Sequence, residues 1–199
     1  MVFNPTKNYD FIPDLNMGGN QIATLEEMKL LGLTIRSDLK CKSNTDAMVT
    51  KGYKRLWMIK RLKSHGASID DLKEIYIKQI RSVLEFGVPV WNNGRSKAEL
   101  VEIERIQKAF LHIALGTEYH SYKEALETAK LETLEHRRLK LCTTFAKKCA
   151  KHPKHRSWFK PENSATRTRN AKPKFKVPLF RLTRFRESPI PYLTNLLNK

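Results

Sequence analysis

The chain has 199 residues, 40% of them hydrophobic, which is enough for one domain with a core of its own. It contains no apolar run near the roughly 20 residues that span a bilayer, and no signal-peptide pattern at its N-terminus. Its three cysteines do not make a disulfide framework, so we expect an intracellular protein, nuclear or cytoplasmic, that is neither secreted nor membrane-spanning.

The formal net charge of +18, from 38 basic and 20 acidic residues, is the strongest signal in the sequence. Residues 41–65 carry +6 and residues 137–199 carry +16, whereas residues 1–40 carry −1 and residues 66–136 carry −3. Such a field concentrates polyanions near the surface, and nucleic acid is the usual polyanion, ahead of an anionic membrane. We therefore expect RNA or DNA as the partner, and neither a membrane nor a small-molecule substrate.

Residues 1–42 have the signals of a small β element. A turn is predicted at residues 16–20, which read Asn-Met-Gly-Gly-Asn. Residues 28–35 predict a strand, although a short apolar run is also compatible with a helix. Ser37 and Asp38 predict the turn that ends it.

A helical period begins at Ser43 and continues to Gly66, which suits the left-handed position after a helix. Asn44 is the predicted N-cap. The predicted apolar stripe of this helix consists of Met48, Gly52, Leu56 and Ile59. A different arc carries four basic residues, namely Lys51, Lys54, Arg55 and Arg61.

Four further helices are predicted from capping residues at their N-termini. Three begin with a capping box, namely Ser68 with Asp71, Ser96 with Glu99, and Ser121 with Glu124, and the fourth begins with Thr133 as a cap. The first should end near Gly87 and Pro89, and its predicted apolar face is Ile69, Leu72, Tyr76, Ile80 and Val83. The second should bury Leu100, Ile103, Phe110, Leu111 and Ala114. The last, ending before Pro153, should bury Leu134, Leu141, Phe145 and Cys149.

Residues 153–199 are predicted to be a basic and mostly irregular tail. Residues 160–176 are too polar to bury a core alone, so we expect them to be disordered or extended. A segment at residues 192–197 is predicted to form one amphipathic turn that docks on the core. The aromatic residues of the tail either stack on single-stranded bases or anchor it to the core, and both alternatives stay open for Trp158, Phe159, Phe175 and Phe180.

No group of residues in the sequence has the composition and spacing that indicate a catalytic site or a metal site. Asp70 and Asp71 are the only adjacent aspartates, and their place in the first turn of a helix favours capping over metal binding. Cys149, His152 and His155 are spaced like metal ligands, but a fourth ligand is missing and Cys149 shares the apolar stripe. We therefore expect a buried cysteine, no catalytic residues, no metal and no cofactor.

Five short segments occur in an order that we recognise: KLLGLTIRSDLK at 29–40, KGYKRLW at 51–57, RSVLEFGVPVW at 81–91, IERIQK at 103–108 and EHRRL at 135–139. Together they resemble the end of the palm and the thumb of a LINE-type, jockey-like non-LTR retrotransposon reverse transcriptase. The resemblance covers about residues 1–150 well and the tail more loosely. Cys41 stands where that family usually carries Trp, and the chain has no aromatic-x-Asp-Asp catalytic motif.

The resemblance implies a mainly α fold: a palm-end β element at residues 1–42, a four- to five-helix thumb-like bundle at 43–152, and a basic, largely irregular tail at 153–199. It also implies a truncated RNA-directed DNA polymerase that lacks the catalytic aspartates. Such a chain is not an enzyme as written and binds RNA/DNA duplex non-specifically. Two alternatives stay open: part of an active polymerase whose upstream half is missing, and a host-adopted helical scaffold for protein contacts.

A thumb helix rests on the template–primer duplex, so the resemblance favours phosphate contact for the basic residues of the first helix. The residues that we expect to contact nucleic acid are Lys51, Lys54, Arg55, Arg61, Arg137, Lys147, Lys148, Lys172, Lys174 and Lys176. Arg138 lies close to the apolar stripe and is either a surface contact or a structural ion-pair partner. Trp57 and Trp91 lie in apolar contexts, and we expect both to pack in the core.

Overall fold

The computed structural model describes residues 15–23, 25–37, 41–161, 175–180, 183–186 and 188–199. The chain is mainly helical, with two small β-hairpins before the first long helix, which confirms the predicted fold class. The turn expected at residues 16–20 joins strands β1 (Asn16–Met17) and β2 (Asn20–Gln21). The predictions for residues 162–174, including phosphate contacts by Lys172 and Lys174, lie outside the described residues.

Residues 28–35 were predicted as one strand, and this is wrong because the segment folds back on itself. Strands β3 (Glu27–Leu30) and β4 (Leu33–Arg36) pair in antiparallel register, with Met28 opposite Ile35. Leu31 and Gly32 form the turn with φ of 48° and 86°. Two successive left-handed residues give the tight turn that matches the twist of paired strands. The hairpin therefore supplies its own pairing partner.

Helix α1 (Lys42–Ser64) buries the predicted stripe of Met48, Gly52, Leu56 and Ile59, and Gly66 follows it with φ of 84°. Asn44 is not the N-cap, because the helix begins two residues earlier, after Cys41. Its side chain instead accepts a hydrogen bond from the Thr34 backbone N–H at 3.3 Å, between Oδ1 and N. The amide of Asn44 therefore joins strand β4 to the first turn of α1.

The next helical segment consists of α2 (Ile69–Ile75), a π-helix (Tyr76–Arg81) and α3 (Ser82–Leu84). Its capping box at Ser68 and Asp71 is confirmed. The fully buried positions are Leu72, Tyr76, Ile80 and Leu84, whereas the predicted Val83 is only half-buried. In a continuous α-helix, Leu84 would lie about a third of a turn away from Leu72. The wider π turn has more residues per turn, which cancels this angular offset and brings Leu84 onto the buried face.

Four helices complete the bundle: α4 (Val88–Trp91), α5 (Lys97–Leu115), α6 (Tyr122–Ala129) and α7 (Leu134–Lys151). The predicted caps of the last three are confirmed, since Ser96, Ser121 and Thr133 each accept a hydrogen bond from a backbone N–H three residues on. Helix α5 packs against α1 and carries much of the core. Trp91 is 1% exposed, as expected.

The buried face of α7 differs from the predicted one. It consists of Leu134, Arg138, Cys142, Ala146 and Cys149, whereas Leu141 is half-buried and Phe145 is 38% exposed. The last helix, α9 (Pro189–Leu197), packs along α7. The small side chains of Cys142 and Ala146 permit that close packing, so the apolar Phe145 is left at the surface.

The C-terminal segment closes the core rather than forming a tail alone. Leu193 and Leu196 of α9 are buried, which confirms the predicted docking and extends it to a nine-residue helix. Helix α8 (Thr183–Arg186) precedes it. Phe159 is 2% exposed, with its ring centroid 6.0 Å from that of Phe175. Both rings therefore anchor the segment. Within the described residues, no helix combines the length and apolar content that crossing a bilayer would require.

Candidate nucleic-acid interface

A groove of about 610 Å³ lies between the β3–β4 hairpin, α1 and the π-helix. The tip of the hairpin packs directly on the helical wall. A Cβ added at Gly87 would lie 2.9 Å from Leu33, and one added at Gly32 would lie 3.1 Å from the Phe86 ring. These close approaches, together with the bond from Thr34 to Asn44, fix the hairpin against the helices. The groove is thus built from elements held in place.

Among the described residues, the charged ones that line this groove are all basic: Lys29, Lys51, Arg55 and Lys78, which we call the basic groove residues. The other lining residues are neutral. Lys29 and Lys51 have no ion-pair partner within the described part of the chain. Because no acid of the described ranges lines the groove, a strand of phosphates there would meet positive charge that these residues do not compensate.

Two of the basic groove residues are held by neighbouring groups. Arg55 donates from Nη1 to the backbone carbonyl of Gln79, within the π-helix, and so joins α1 to the opposite wall. Lys78 pairs with Glu74 one helical turn earlier, with 66% and 62% of the two side chains exposed. An exposed ion pair of this kind is weak, so Lys78 can exchange Glu74 for a phosphate at little cost.

Sequence analysis identified Lys51 and Arg55 but missed Lys29 and Lys78. Lys29 was assigned to a single strand, and only the hairpin brings it opposite α1. Lys78 lies in the π turn, which no feature of the sequence indicates. The glycine at position 32 was the one available signal, because a glycine inside a strand pattern often marks a sharp bend.

The outward face of α1 carries Lys54, Trp57 and Arg61. Trp57 was expected in the core, and this is wrong: its side chain is 66% exposed. The Arg61 guanidinium carbon lies 5.6 Å from the centroid of its ring. Trp57 faces outward because Leu56 and Ile59 occupy the buried side of α1. An exposed indole beside two cations offers a surface on which a base can stack.

Arg137 does not join these residues. Its Nη2 donates to Glu85 Oε2 at 2.9 Å, and its Nε donates to the other carboxylate oxygen. Hydrogen bonding to Glu85 raises the pKa of Arg137. A half-buried bidentate pair of this geometry is strong, so we withdraw Arg137 from the predicted interface. Sequence analysis missed the pairing because Glu85 lies just after α3, far from Arg137 in sequence.

Arg138 is a buried residue rather than a surface contact. It is 3% exposed, and its Nη1 lies 4.0 Å from Glu104 Oε2. Burial lowers the pKa of Arg138, while the Glu104 carboxylate opposes that shift. Of the two alternatives for this residue, the structure supports the structural ion-pair partner, although the pair is too long for a hydrogen bond.

A second basic surface lies at the C-terminal end of α7. Lys147 and Lys148 are exposed there, and residues 136–161 contain no acidic residue. Lys176 is exposed as well, and its backbone N–H donates to the Lys160 carbonyl at 2.8 Å, which places these two residues side by side. Trp158 is 41% exposed, with its ring 4.5 Å from His155. This surface is therefore a second place where phosphates and bases can be contacted.

The cysteine and histidines spaced like metal ligands do not converge. Cys149 is buried on the inner face of α7, whereas the His152 and His155 rings stack on each other with centroids 4.8 Å apart. Within the described residues, no three His, Cys, Asp or Glu side chains are close enough together to hold a metal ion.

Comparison with known proteins gave no relative, since no family model, no curated protein and no solved structure matches the chain.

Proposed function

We propose that this chain binds nucleic acid duplex non-specifically, through phosphate contacts in the groove lined by Lys29, Lys51, Arg55 and Lys78. The observation that carries the proposal is the charge of that groove: among the described residues its charged lining is all basic, and only Lys78 has an ion-pair partner. Phosphate contacts position a protein on a duplex without reading its sequence. Binding of this kind weakens steeply with salt.

The resemblance to a LINE-type reverse transcriptase supports the same proposal. In that family the helix matched by residues 51–57 belongs to the thumb, and the residues matched by 29–40 lead into it beside the primer strand. Lys29, Lys51 and Arg55 come from these two segments and line one groove. The role that we propose is therefore to hold an RNA/DNA hybrid, with Lys54, Trp57 and Arg61 beside the groove as further contacts.

The first prediction concerns three lysines of the groove. Replacing Lys29, Lys51 and Lys78 together with glutamine is expected to weaken binding of a labelled RNA–DNA hybrid. Each lost phosphate contact reduces the steepness of log affinity against log salt by about 1, so the triple variant should lose about 3 from the slope. Fluorescence anisotropy across a series of salt concentrations measures both the affinity and the slope.

A matched control separates contact from overall charge. Lys97, Lys123 and Lys130 are exposed and none lines the groove, so their triple replacement with glutamine removes the same charge elsewhere. We expect this control to keep the salt slope close to that of the unchanged protein. Equal losses in both triple variants would contradict a defined groove site. Binding that does not respond to salt would favour a protein-interaction scaffold instead.

A further inference from the structure

A second pocket lies on residues that the basic groove does not share. It has a volume of about 460 Å³ and is bounded by the loop between α4 and α5, by α7 and by α9. Its volume falls within the range of pockets that hold small ligands. Arg95 comes from the loop, Arg138 from α7, and Tyr192 and Asn195 from α9. We call it the arginine pocket.

Two guanidinium groups in this pocket have hydrogen-bond donors that no group in the described part of the chain satisfies. Arg138 is 3% exposed and the Arg95 side chain is 5% exposed. Arg138 Nη1 and Arg95 Nε are both buried and have no hydrogen-bond partner. A buried charged donor without an acceptor costs more than a neutral one, so each such group calls for an explanation.

The neighbouring carboxylates do not accept from these two donors, because each is held by hydrogen bonds to other groups. Glu104 accepts hydrogen bonds from the backbone N–H groups of Leu134 at 3.0 Å and Glu135 at 3.2 Å, and also from the Tyr122 hydroxyl. Glu104 Oε2 lies 4.0 Å from Arg138 Nη1, so the two opposite charges attract each other but do not form a hydrogen bond.

The second carboxylate, Glu99, holds Arg95 in place. It accepts from Arg95 Nη1 at 3.0 Å with one oxygen and from the Ser96 N–H at 2.9 Å with the other. This pair fixes the guanidinium while its Nε stays without an acceptor.

We propose that the arginine pocket binds a phosphate group, which accepts hydrogen bonds from the guanidinium groups of Arg138 and Arg95. Guanidinium donors are the side-chain groups best matched to phosphate oxygens. The charge of the lining agrees with an anion: Arg95, Arg138 and Arg186 are opposed there by one acid, Glu135, among the described residues. This proposal does not rest on the proposed function, because the two sites share no lining residue.

The test is titration of the full chain with inorganic phosphate, followed by calorimetry and by the NMR signal of the Arg95 Nε–H group. Sodium chloride at equal ionic strength is the control for general anion effects. Phosphate, but not chloride, is expected to shift the Arg95 signal and to release or absorb heat in a saturable way. Replacing Arg138 with methionine is expected to reduce the phosphate affinity about 10-fold or more, since a charge-assisted bond is lost.

Two exposed residues give variants that do not depend on refolding the core. Glu135→Gln removes the acid from the lining and is expected to tighten phosphate binding about 2- to 5-fold, whereas Asn195→Asp adds an acid and should weaken it similarly. Glu127→Gln on α6 removes an exposed acid elsewhere and should leave binding unchanged. The proposal is overturned if phosphate binds no better than chloride, or if Glu135→Gln and Asn195→Asp behave like Glu127→Gln.

The phosphate can belong to a small molecule or to a nucleic-acid strand, and the same variants distinguish these sources. If it belongs to a strand, Asn195→Asp will also weaken binding of the RNA–DNA hybrid, and inorganic phosphate will compete with the hybrid. If it belongs to a small molecule, Asn195→Asp will weaken phosphate binding and leave hybrid binding unchanged. Either result supports the pocket. If the groove variant binds the hybrid as tightly as the unchanged protein, the proposed function is refuted and this phosphate site is left intact.

Discussion

Replacing Trp91 with alanine is expected to lower the free energy of unfolding by about 3–5 kcal/mol. Its side chain is 1% exposed, and its indole Nε1 donates to the Phe86 carbonyl at 2.6 Å. The substitution removes a large buried apolar surface and leaves that carbonyl without its donor. Urea denaturation followed by circular dichroism at 222 nm measures the change.

The matched control is Trp57→Ala, which removes the same side chain from the outward face of α1. Because Trp57 is 66% exposed, this change is expected to alter stability by no more than about 0.5 kcal/mol. If Trp91→Ala yields no folded protein, Trp91→Phe should still be measurably destabilised. Similar losses for Trp57→Ala and Trp91→Ala would contradict the packing described for both residues.

Gln107→Leu is expected to destabilise the protein by about 2–4 kcal/mol, although leucine fills a similar volume. Gln107 is fully buried in α5 and joins three other elements. Its Oε1 accepts from the Tyr76 hydroxyl at 2.8 Å, and its Nε2 donates to the Glu132 carbonyl at 3.0 Å and to the Tyr122 hydroxyl at 3.1 Å. Leucine leaves the buried Tyr76 hydroxyl without its acceptor and removes the donor to the Glu132 carbonyl.

A double-mutant cycle tests the cause of this loss. Tyr76→Phe removes the hydroxyl that Gln107→Leu would leave unsatisfied, so the double variant should be less destabilised than the sum of the two single variants. We expect a coupling of about 0.5–3 kcal/mol, measured by the same denaturation experiment. Additive effects would mean that the Tyr76–Gln107 hydrogen bond contributes little to stability. Burial raises the pKa of Tyr76, so its hydroxyl keeps the proton that it donates.

The starts of the helices that have a Ser or Thr cap were predictable, because capping depends on residues close together in the chain, whereas α1 begins without a side-chain cap and its N-cap was predicted wrongly. The hydroxyl of Ser68 or Ser96 bonds to a backbone N–H three residues later, and both boxes are present. The π turn was not predictable, since it arises where the buried face must stay aligned over several turns. Its consequence is that Leu84, rather than Val83, completes that face.

The candidate site was predictable only in the part that one helix carries. Lys51 and Arg55 share an arc of α1, and periodicity alone places them together. Lys29 joins them because the chain reverses at Leu31 and Gly32. A leucine with positive φ is uncommon, so the sequence pattern does not indicate that Leu31 takes part in a turn. The pairing of Arg137 with Glu85 was not predicted, because the two residues lie 52 positions apart in sequence. Long-range pairing of charges leaves no local signal.

The burial of two cysteines makes the third a reporter for chemical labelling. Burial raises the pKa of the Cys142 thiol to about 11, so about one molecule in 10⁴ carries the reactive thiolate at pH 7. Burial also raises the pKa of Cys149. Cys41 is only half-buried, immediately before α1. We expect a maleimide to modify Cys41 first, and mass spectrometry of the peptides checks this.

Equal modification of Cys142 would mean that α9 detaches from α7 on the timescale of the labelling reaction. With the expected selectivity, a fluorophore on Cys41 stands at the start of the helix that forms one wall of the basic groove. The natural sequence then provides a single-site optical probe for testing the proposed duplex binding, without any cysteine being removed or added.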